Sequence, residues 1–311
     1  MQYGVPLANG SPADIPDSFH FDEISGSILE GVYDLGIVSF FSAIFMPRII
    51  PSTLLAVCFL AACSRDAGPS TPAIPAETRR TALESAMQHL DAGRSVEALA
   101  ITSKLILRDP NSIDALEKHA IVLLAEAARL ESLGNSPIAN THRENALESY
   151  IAACSHQDVK GETQFSAAQL AHMLGKIELA ISLYMESHEK LIHDGRSALW
   201  LAQIDLLAQN WSEANEWISK SLQRNPKEPS ALISAGLIQA NLGNCEDAKA
   251  YTNKAIRLQP NDQNFRIMQA RVLRICGDPQ RAIEILSSLQ SSQAVIDEIE
   301  LCKQRNVNHE Y

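Results

Sequence analysis

The sequence is poor in aromatic residues, which make up 5 % of its 311 residues, and it holds only 14 glycines and 14 prolines. Sandwich and barrel folds are richer in aromatic residues and tight turns, so this composition indicates helices. A basic block is also missing, because 26 lysines and arginines are outnumbered by 37 aspartates and glutamates, which gives a net charge of -11. Since nucleic-acid binding requires clustered positive charge, we expect no nucleic-acid partner.

Familiar catalytic and metal-binding patterns are missing as well. The sequence contains no Gly-rich phosphate loop, no GxSxG elbow and no CxxC pair. The segment from His188 to His193 looks like a zinc-binding HExxH helix, but its histidines are five residues apart rather than four. On a helix they diverge by about 140°, so they cannot share a face. We therefore expect no metal, no cofactor and no enzymatic activity.

The N-terminal part of the chain differs in composition from the rest. Residues 1–47 contain no lysine or arginine, and Met46-Pro47-Arg48 then opens an apolar run that ends in small residues before Cys63. The run is shorter than the roughly 20 apolar residues of a membrane-spanning helix, so we interpret 46–62 as a signal peptide. Residues 1–45 are then interpreted as a disordered extension upstream of the true start at Met46.

The four residues Leu60-Ala61-Ala62-Cys63 resemble the lipobox of bacterial lipoproteins. The resemblance implies cleavage before Cys63 and attachment of diacylglycerol to its thiol. Ser64, rather than aspartate, follows, and by similarity to enterobacterial lipoproteins this implies the outer membrane, facing the periplasm. The alternative is an ordinary signal with an incidental Cys63. Residues 63–78 are Pro-rich and predict a linker that reaches about 50 Å.

A period of 34 residues runs through the remainder of the chain. It relates Pro226 to Pro260 and Gly243 to Gly277, and it relates three alanines: Ala214, Ala248 and Ala282. The unit that begins at residue 229 closely resembles a tetratricopeptide repeat. That resemblance implies an all-α fold with one helix–turn–helix per repeat, stacked into a right-handed superhelical solenoid with a concave groove.

Extending this frame predicts six repeats. They span 79–112, 113–160, 161–194, 195–228, 229–262 and 263–296, and 297–311 form a capping helix and tail. Every unit has a small residue at positions 8 and 20, where paired helices should cross. Position 15 is glycine in all units except the fourth, which has Gln209, so we expect Asn210 to take the left-handed turn there.

Two units carry further expectations. The second is 48 residues long, 14 more than the others, and its spacing predicts two lengthened helices, about 113–133 and 137–154, that project as a ridge. A disordered loop is the alternative. At the end of the stack, 294–305 has an apolar face that should cover the last repeat. This face consists of Val295, Ile296, Ile299, Leu301 and Cys302.

The resemblance also implies where a partner binds, because the first helix of each repeat lines the groove in this family. The groove residues so implied are Phe165, His172, Leu199, Trp200, Gln203, Leu237 and Arg271. The Lys–Asn pair of carboxylate-clamp cochaperones is missing, and the face is mostly apolar, which favours an amphipathic helix or an extended apolar segment of a protein partner. Alternatively, some of these residues pack helix on helix.

Cys245 and Cys276 fall at one edge of the stack, beside the turns within the fifth and sixth repeats. In an exported protein they could form a disulfide, and otherwise they would be buried thiols. The resulting prediction is a lipid-anchored scaffold of the bacterial envelope that serves assembly of a pilus, a secretion or polysaccharide-export channel, or the cell wall. The alternatives are an accessory subunit of an envelope enzyme and a cytoplasmic adaptor or cochaperone.

Overall fold

Thirteen helices and no strand form residues 74–307, which are the part of the chain that the computed structural model describes, with side chains up to Gln304. Cys63, the signal peptide, residues 1–45 and most of the linker lie outside this part. The helices are α1 (Ala76–Asp91), α2 (Ser95–Arg108), α3 (Ile113–Ser132), α4 (Ser136–Cys154), α5 (Gly161–Met173), α6 (Ile177–Lys190), α7 (Arg196–Leu207), α8 (Trp211–Arg224), α9 (Pro229–Asn241), α10 (Cys245–Leu258), α11 (Gln263–Ile275), α12 (Pro279–Ser287) and α13 (Gln293–Val307).

The helices pack as consecutive antiparallel hairpins. α1 packs most extensively on α2, α3 on α4, and so on to α11 and α12, and the second helix of each hairpin also contacts the first helix of the next. First helices of successive hairpins contact each other as well, as α7, α9 and α11 do. This stacking confirms the predicted all-α solenoid. None of these helices is both long and apolar enough to cross a membrane.

Small residues lie where the paired helices cross, as the 34-residue period predicts. Eleven alanines at positions 8 and 20 have no exposed surface, namely Ala86, Ala98, Ala120, Ala146, Ala168, Ala180, Ala202, Ala214, Ala248, Ala270 and Ala282. The twelfth position is Gly236, where an added Cβ would lie 2.5 Å from Thr252 Cγ2 and 3.1 Å from the Ala248 carbonyl oxygen. Only glycine fits this crossing without a shift of its neighbours.

The turn inside each hairpin requires one residue with positive φ. Five glycines take this conformation with φ between 71° and 84°, and Gln209 takes it in the fourth hairpin with φ of 61°. The prediction for Asn210 is therefore wrong, because Asn210 has φ of -84° and precedes α8 directly. The hairpin geometry requires the left-handed conformation two residues after the last residue of α7. Gln209 therefore adopts it, although the next residue is an asparagine, which tolerates this conformation better.

The two lengthened helices are confirmed, since α3 has 20 residues and α4 has 19, whereas α5 and α7 have 13 and 12. At the start of the stack, α1 begins at Ala76, so the predicted linker ends before residue 78. Its N-terminal residues are helical because the chain from Ile74 onwards already packs against the apolar cluster of Leu83 and Leu105.

The last helix, α13, covers α11 and α12 with only part of the predicted face. Ile299 packs against the cluster that contains Val295 and Cys302. Val295 and Cys302 are buried, but Ile296 and Leu301 are 45 % and 43 % exposed. Glu298 is buried in their place, with its carboxylate bound by Arg271 and Arg274 of α11. Because Val295, Glu298 and Cys302 follow each other at helical spacing, one stripe of α13 contains two apolar residues and one charge.

A disulfide joins the fifth and sixth hairpins. Cys245 is the first residue of α10, Cys276 follows α11, and their Cα atoms are 5.6 Å apart. This separation is in the range that a disulfide requires. Cys154 and Cys302 are free thiols, half-buried and buried respectively.

Candidate partner-binding site

The residues predicted to line a groove are mostly covered by neighbouring helices. Exposed fractions are 4 % for Phe165, 9 % for Leu199, 8 % for Gln203 and 5 % for Leu237. The other three, His172, Trp200 and Arg271, are half-buried. Packing between helices therefore uses most of this set, and only the half-buried residues offer surface to a partner.

Phe165 is covered on both sides. The ring centroid of Tyr184 lies 5.8 Å away, and the guanidinium carbon of Arg196 lies 4.5 Å above the ring of Phe165. Arg196 is held there by Glu162 and Asp194, with nitrogen–oxygen distances of 2.8 Å and 2.7 Å. This arrangement leaves Phe165 no open face for a partner.

Leu199 and Trp200 point into different apolar clusters although they are adjacent. Leu199 packs with Ala202 and Ile218, whereas Trp200 packs in the cluster that contains Phe165 and Tyr184. Neighbouring residues on a helix diverge by about 100°, which sends the two side chains toward different neighbours. Of the predicted groove residues, Phe165, Leu199 and Trp200 therefore do not form a single surface patch.

Trp200 instead belongs to an aromatic cluster that we define as Phe165, His172, Tyr184 and Trp200. Its ring lies parallel to that of Tyr184, with centroids 6.0 Å apart and planes 4° apart. The ring of His172 meets it edge-on at 5.3 Å. Since Tyr184 is fully buried, Trp200 has a fixed aromatic support beneath a partly exposed ring.

Polar atoms in and beside this cluster lack hydrogen-bond partners. His172 Nδ1, Tyr184 Oη and the neighbouring Gln164 Oε1 are buried and unpaired in the described structure. Burial lowers the pKa of His172, which favours the neutral imidazole, and raises the pKa of the Tyr184 phenol far above its ordinary value. Each buried polar group without a hydrogen-bond partner lowers the stability by about 1–3 kcal/mol. A ligand that formed hydrogen bonds with these atoms would recover part of this free energy on binding.

Tyr184 and Gln164 were not among the predicted groove residues. Tyr184 lies on the second helix of its hairpin, outside the set of groove positions, and Gln164 lies one residue before Phe165. The available signal for Tyr184 was its place one turn after Ala180, on the buried face of α6. No pattern distinguished Gln164 from a solvent-exposed glutamine.

Known structures share this helical arrangement. PilF of Pseudomonas aeruginosa aligns with a TM-score of 0.51 and 17 % identity over 71 % of this chain and 96 % of its own. A tetratricopeptide repeat protein from Parabacteroides merdae aligns with a TM-score of 0.56 and 17 % identity, covering 75 % and 89 %. The fold is that of a tetratricopeptide-repeat solenoid. No family model matches the chain, and no curated protein matches it significantly.

The two remaining predicted groove residues, Leu237 and Arg271, contact other helices of the solenoid. Leu237 packs with Ala248 and Val272 in the repeat core. Arg271 donates to the buried carboxylate of Glu298, with Nε and Oε2 3.2 Å apart, so α13 already engages it. Among residues 74–307, no group of three or more His, Cys, Asp or Glu side chains could hold a metal ion.

Proposed function

We propose that this tetratricopeptide-repeat chain is a non-catalytic scaffold that binds a protein partner through the first helices of its repeats. A lipid on Cys63 anchors it to the outer membrane, where it faces the periplasm and serves assembly of an envelope complex such as a pilus, a secretion or polysaccharide-export channel, or the cell wall. The lipobox-like residues 60–63 support the anchor. The stacked helices support the scaffold, because a solenoid offers a long surface for binding.

The observation that carries the binding site is the aromatic cluster. Trp200 is half-buried, its ring is stacked on that of Tyr184, and the ring of His172 lies 5.3 Å away at a steep angle. A side chain that is already fixed loses little conformational entropy on binding, and tryptophan is enriched among residues that dominate binding energy. An apolar side chain of the partner that packs on Trp200 fits this surface best.

Site-specific photo-crosslinking in cells tests the proposal. A photoreactive residue at Gln169, half-buried on α5, should give one discrete protein adduct, whereas the same residue at Glu284, exposed on the second helix α12, should not. Trp200→Ala should reduce the Gln169 adduct by about tenfold, because burial of a large apolar side chain is worth about 1.5–3 kcal/mol.

Circular dichroism must show that Trp200→Ala keeps its helix content at the assay temperature, since Trp200 also packs on Tyr184. The adduct should persist at moderate salt, because apolar contacts are not screened. Equal adducts from Gln169 and Glu284, or a Gln169 adduct that survives Trp200→Ala at full yield, would exclude this site.

A further inference from the structure

A recess lies between the loop that follows α6 and the end of α8. Ile192 and His193 line it from the loop, and Gln223 and Arg224 line it from α8. Ile192 is 62 % exposed, although it is a large apolar residue. The recess belongs to second helices of the repeats and shares no residue with the aromatic cluster around Trp200.

Arg224 is held in a fixed orientation at the edge of this recess. Its Nη1 donates to the carbonyl oxygens of His188, Leu191 and Asp194, each at 3.0 Å, and it lies 2.8 Å from His188 Nδ1. The carbonyls of His188 and Leu191 lie at the C-terminal end of α6, so the positive charge also complements the helix dipole, and the Asp194 carbonyl belongs to the loop that follows. Backbone carbonyls at and just after the end of α6 therefore fix the position of the guanidinium.

These hydrogen bonds all use Nη1. Nε and Nη2 of Arg224 donate to no atom among the described residues. Together they form one edge of the guanidinium, and this edge matches the two oxygens of a carboxylate in parallel hydrogen bonds. Arg224 thus combines a fixed position with one unused bidentate edge.

The surrounding charges favour an anion. Burial lowers the pKa of the His188 imidazole, the nearby cations Arg224 and Lys220 lower it further, and the acid Glu189 raises it. Lys220 places its Nζ 3.8 Å from the ring centroid of Trp217, and within residues 74–304 neither cation forms an ion pair. The nearby carboxylate of Asp194 is already bound by Arg196. Around His188, two cations without an ion-pair partner among the described residues thus stand against one acid, Glu189, in a chain with a net charge of -11.

We propose that the recess binds a carboxylate side chain of an acidic protein segment, with Nε and Nη2 of Arg224 donating to its two oxygens. His193 and Gln223 flank the carboxylate, and Ile192 contacts an apolar side chain beside it. One fixed guanidinium edge matches the single charge and planar shape of a carboxylate, whereas a phosphate dianion would require further donors. The inference extends the proposed scaffold by a second contact on different helices, and it rests on the chain binding proteins.

Short peptides test this site independently of the partner. The full chain is titrated with Ac-Leu-Glu-Leu-amide, with its neutral analogue Ac-Leu-Gln-Leu-amide, and with inorganic phosphate, while the imidazole resonances of His188 and His193 are followed by NMR. Variants His188→Gln and His193→Gln assign the two resonances. The glutamate peptide should shift them saturably, and the glutamine peptide should not.

Gln223→Glu is the decisive variant, because it places a negative charge in the recess without altering Arg224, and Gln223 is exposed. It should weaken binding of the glutamate peptide at least about tenfold through like-charge repulsion. Arg224→Lys keeps the charge but loses the bidentate edge and should also weaken binding. Lys227→Gln, which removes an exposed cation outside the recess, is the matched control and should change the affinity less than about twofold.

Equal shifts from the two peptides, or no effect of Gln223→Glu, would overturn the site. Tighter binding of phosphate than of the glutamate peptide would overturn the carboxylate assignment. Because the peptides do not involve Trp200, a negative result here leaves the crosslinking test of the scaffold intact, and the reverse also holds.

Discussion

At the scale of single residues, one methyl group sets how closely paired helices approach. Ala248 has no exposed surface and packs with Leu237, Ala240 and Val272. Ala248→Leu should overpack this crossing and lower the free energy of unfolding by about 1–3 kcal/mol. Thermal melting measures the effect, and Ala250→Leu, at an exposed position two residues later on α10, is the matched control. Identical melting of both variants would contradict the crossing geometry.

Buried His119 makes the stability of the stack depend on pH. Its Nδ1 lies 2.9 Å from Thr102 Oγ1, and burial, with a smaller contribution from the charge of His142, lowers the pKa of His119 to about 4. The unfolded chain therefore binds more protons than the folded chain between pH 6.5 and about 4. The free energy of unfolding should fall as the pH is lowered through this window.

His119→Gln removes this titration and keeps a donor for Thr102. Its melting temperature should fall less than that of the wild type between neutral pH and about pH 4.5. His193→Gln, at an exposed position, serves as the control. Parallel pH profiles of wild type and His119→Gln would assign the acid sensitivity to other groups.

Residue-level prediction from the sequence succeeded where a requirement recurs. Buried alanines such as Ala86 and Ala282 repeat every period, so each helps to identify the others. It failed for Leu199 and Trp200, because the rotation of α7 about its axis decides which cluster each side chain enters. It also failed at Gln209, because the backbone geometry of the turn overrides the preference of side chains for the left-handed conformation. A non-glycine residue in the left-handed region costs about 1–2 kcal/mol, which the surrounding helices must offset.

At the scale of elements, the disulfide adds a covalent link between two hairpins that otherwise meet by packing and by a hydrogen bond from Gln269 to Asn253. Loss of the bond between Cys245 and Cys276, 31 residues apart, should lower the free energy of unfolding by up to about 3–4 kcal/mol in the chain-entropy model. Cys245→Ser with Cys276→Ser tests this by denaturant unfolding, with Cys154→Ser as the control at a free thiol.

Hydrogen exchange on the same double variant should show faster opening of α10, α11 and α12 than of α5 and α6. Thiol counting without reductant is an independent check, since only Cys154 and Cys302 of the described cysteines should react, and only after denaturation for the buried Cys302. Four reactive thiols among these positions would exclude the bond.

Sequence periodicity gave the helices themselves reliably, including the long pair α3 and α4. Both insertions are seven residues, close to two helical turns, so the buried faces keep their phase. Sequence periodicity could not predict which residues of α13 contact the last repeat. A buried glutamate such as Glu298 is accommodated only because Arg271 and Arg274 come from another helix, and no local pattern shows that pairing.

At the scale of the whole molecule, the proposed anchor determines where the scaffold acts. Cys63→Ala should abolish incorporation of labelled fatty acid and leave an unprocessed precursor, because the thiol that accepts diacylglycerol is removed. Metabolic labelling and membrane fractionation in a bacterial host measure this, and Cys58→Ala, inside the predicted signal peptide, is the matched control. Normal labelling of Cys63→Ala would refute the lipobox interpretation.

The buried charge of α13 also determines where this stack can gain repeats. A further repeat inserted before α13 would separate Glu298 from Arg271 and Arg274 and leave two arginines facing an apolar helix. Duplication of the sixth repeat would keep one such pairing at the new end but leave the two arginines of the inner copy without Glu298, which should be unfavourable, whereas duplication of an internal repeat creates no such unpaired arginines. The C-terminal ion pair thus disfavours addition of repeats next to α13. Growth of the solenoid by gene duplication is therefore expected in its interior.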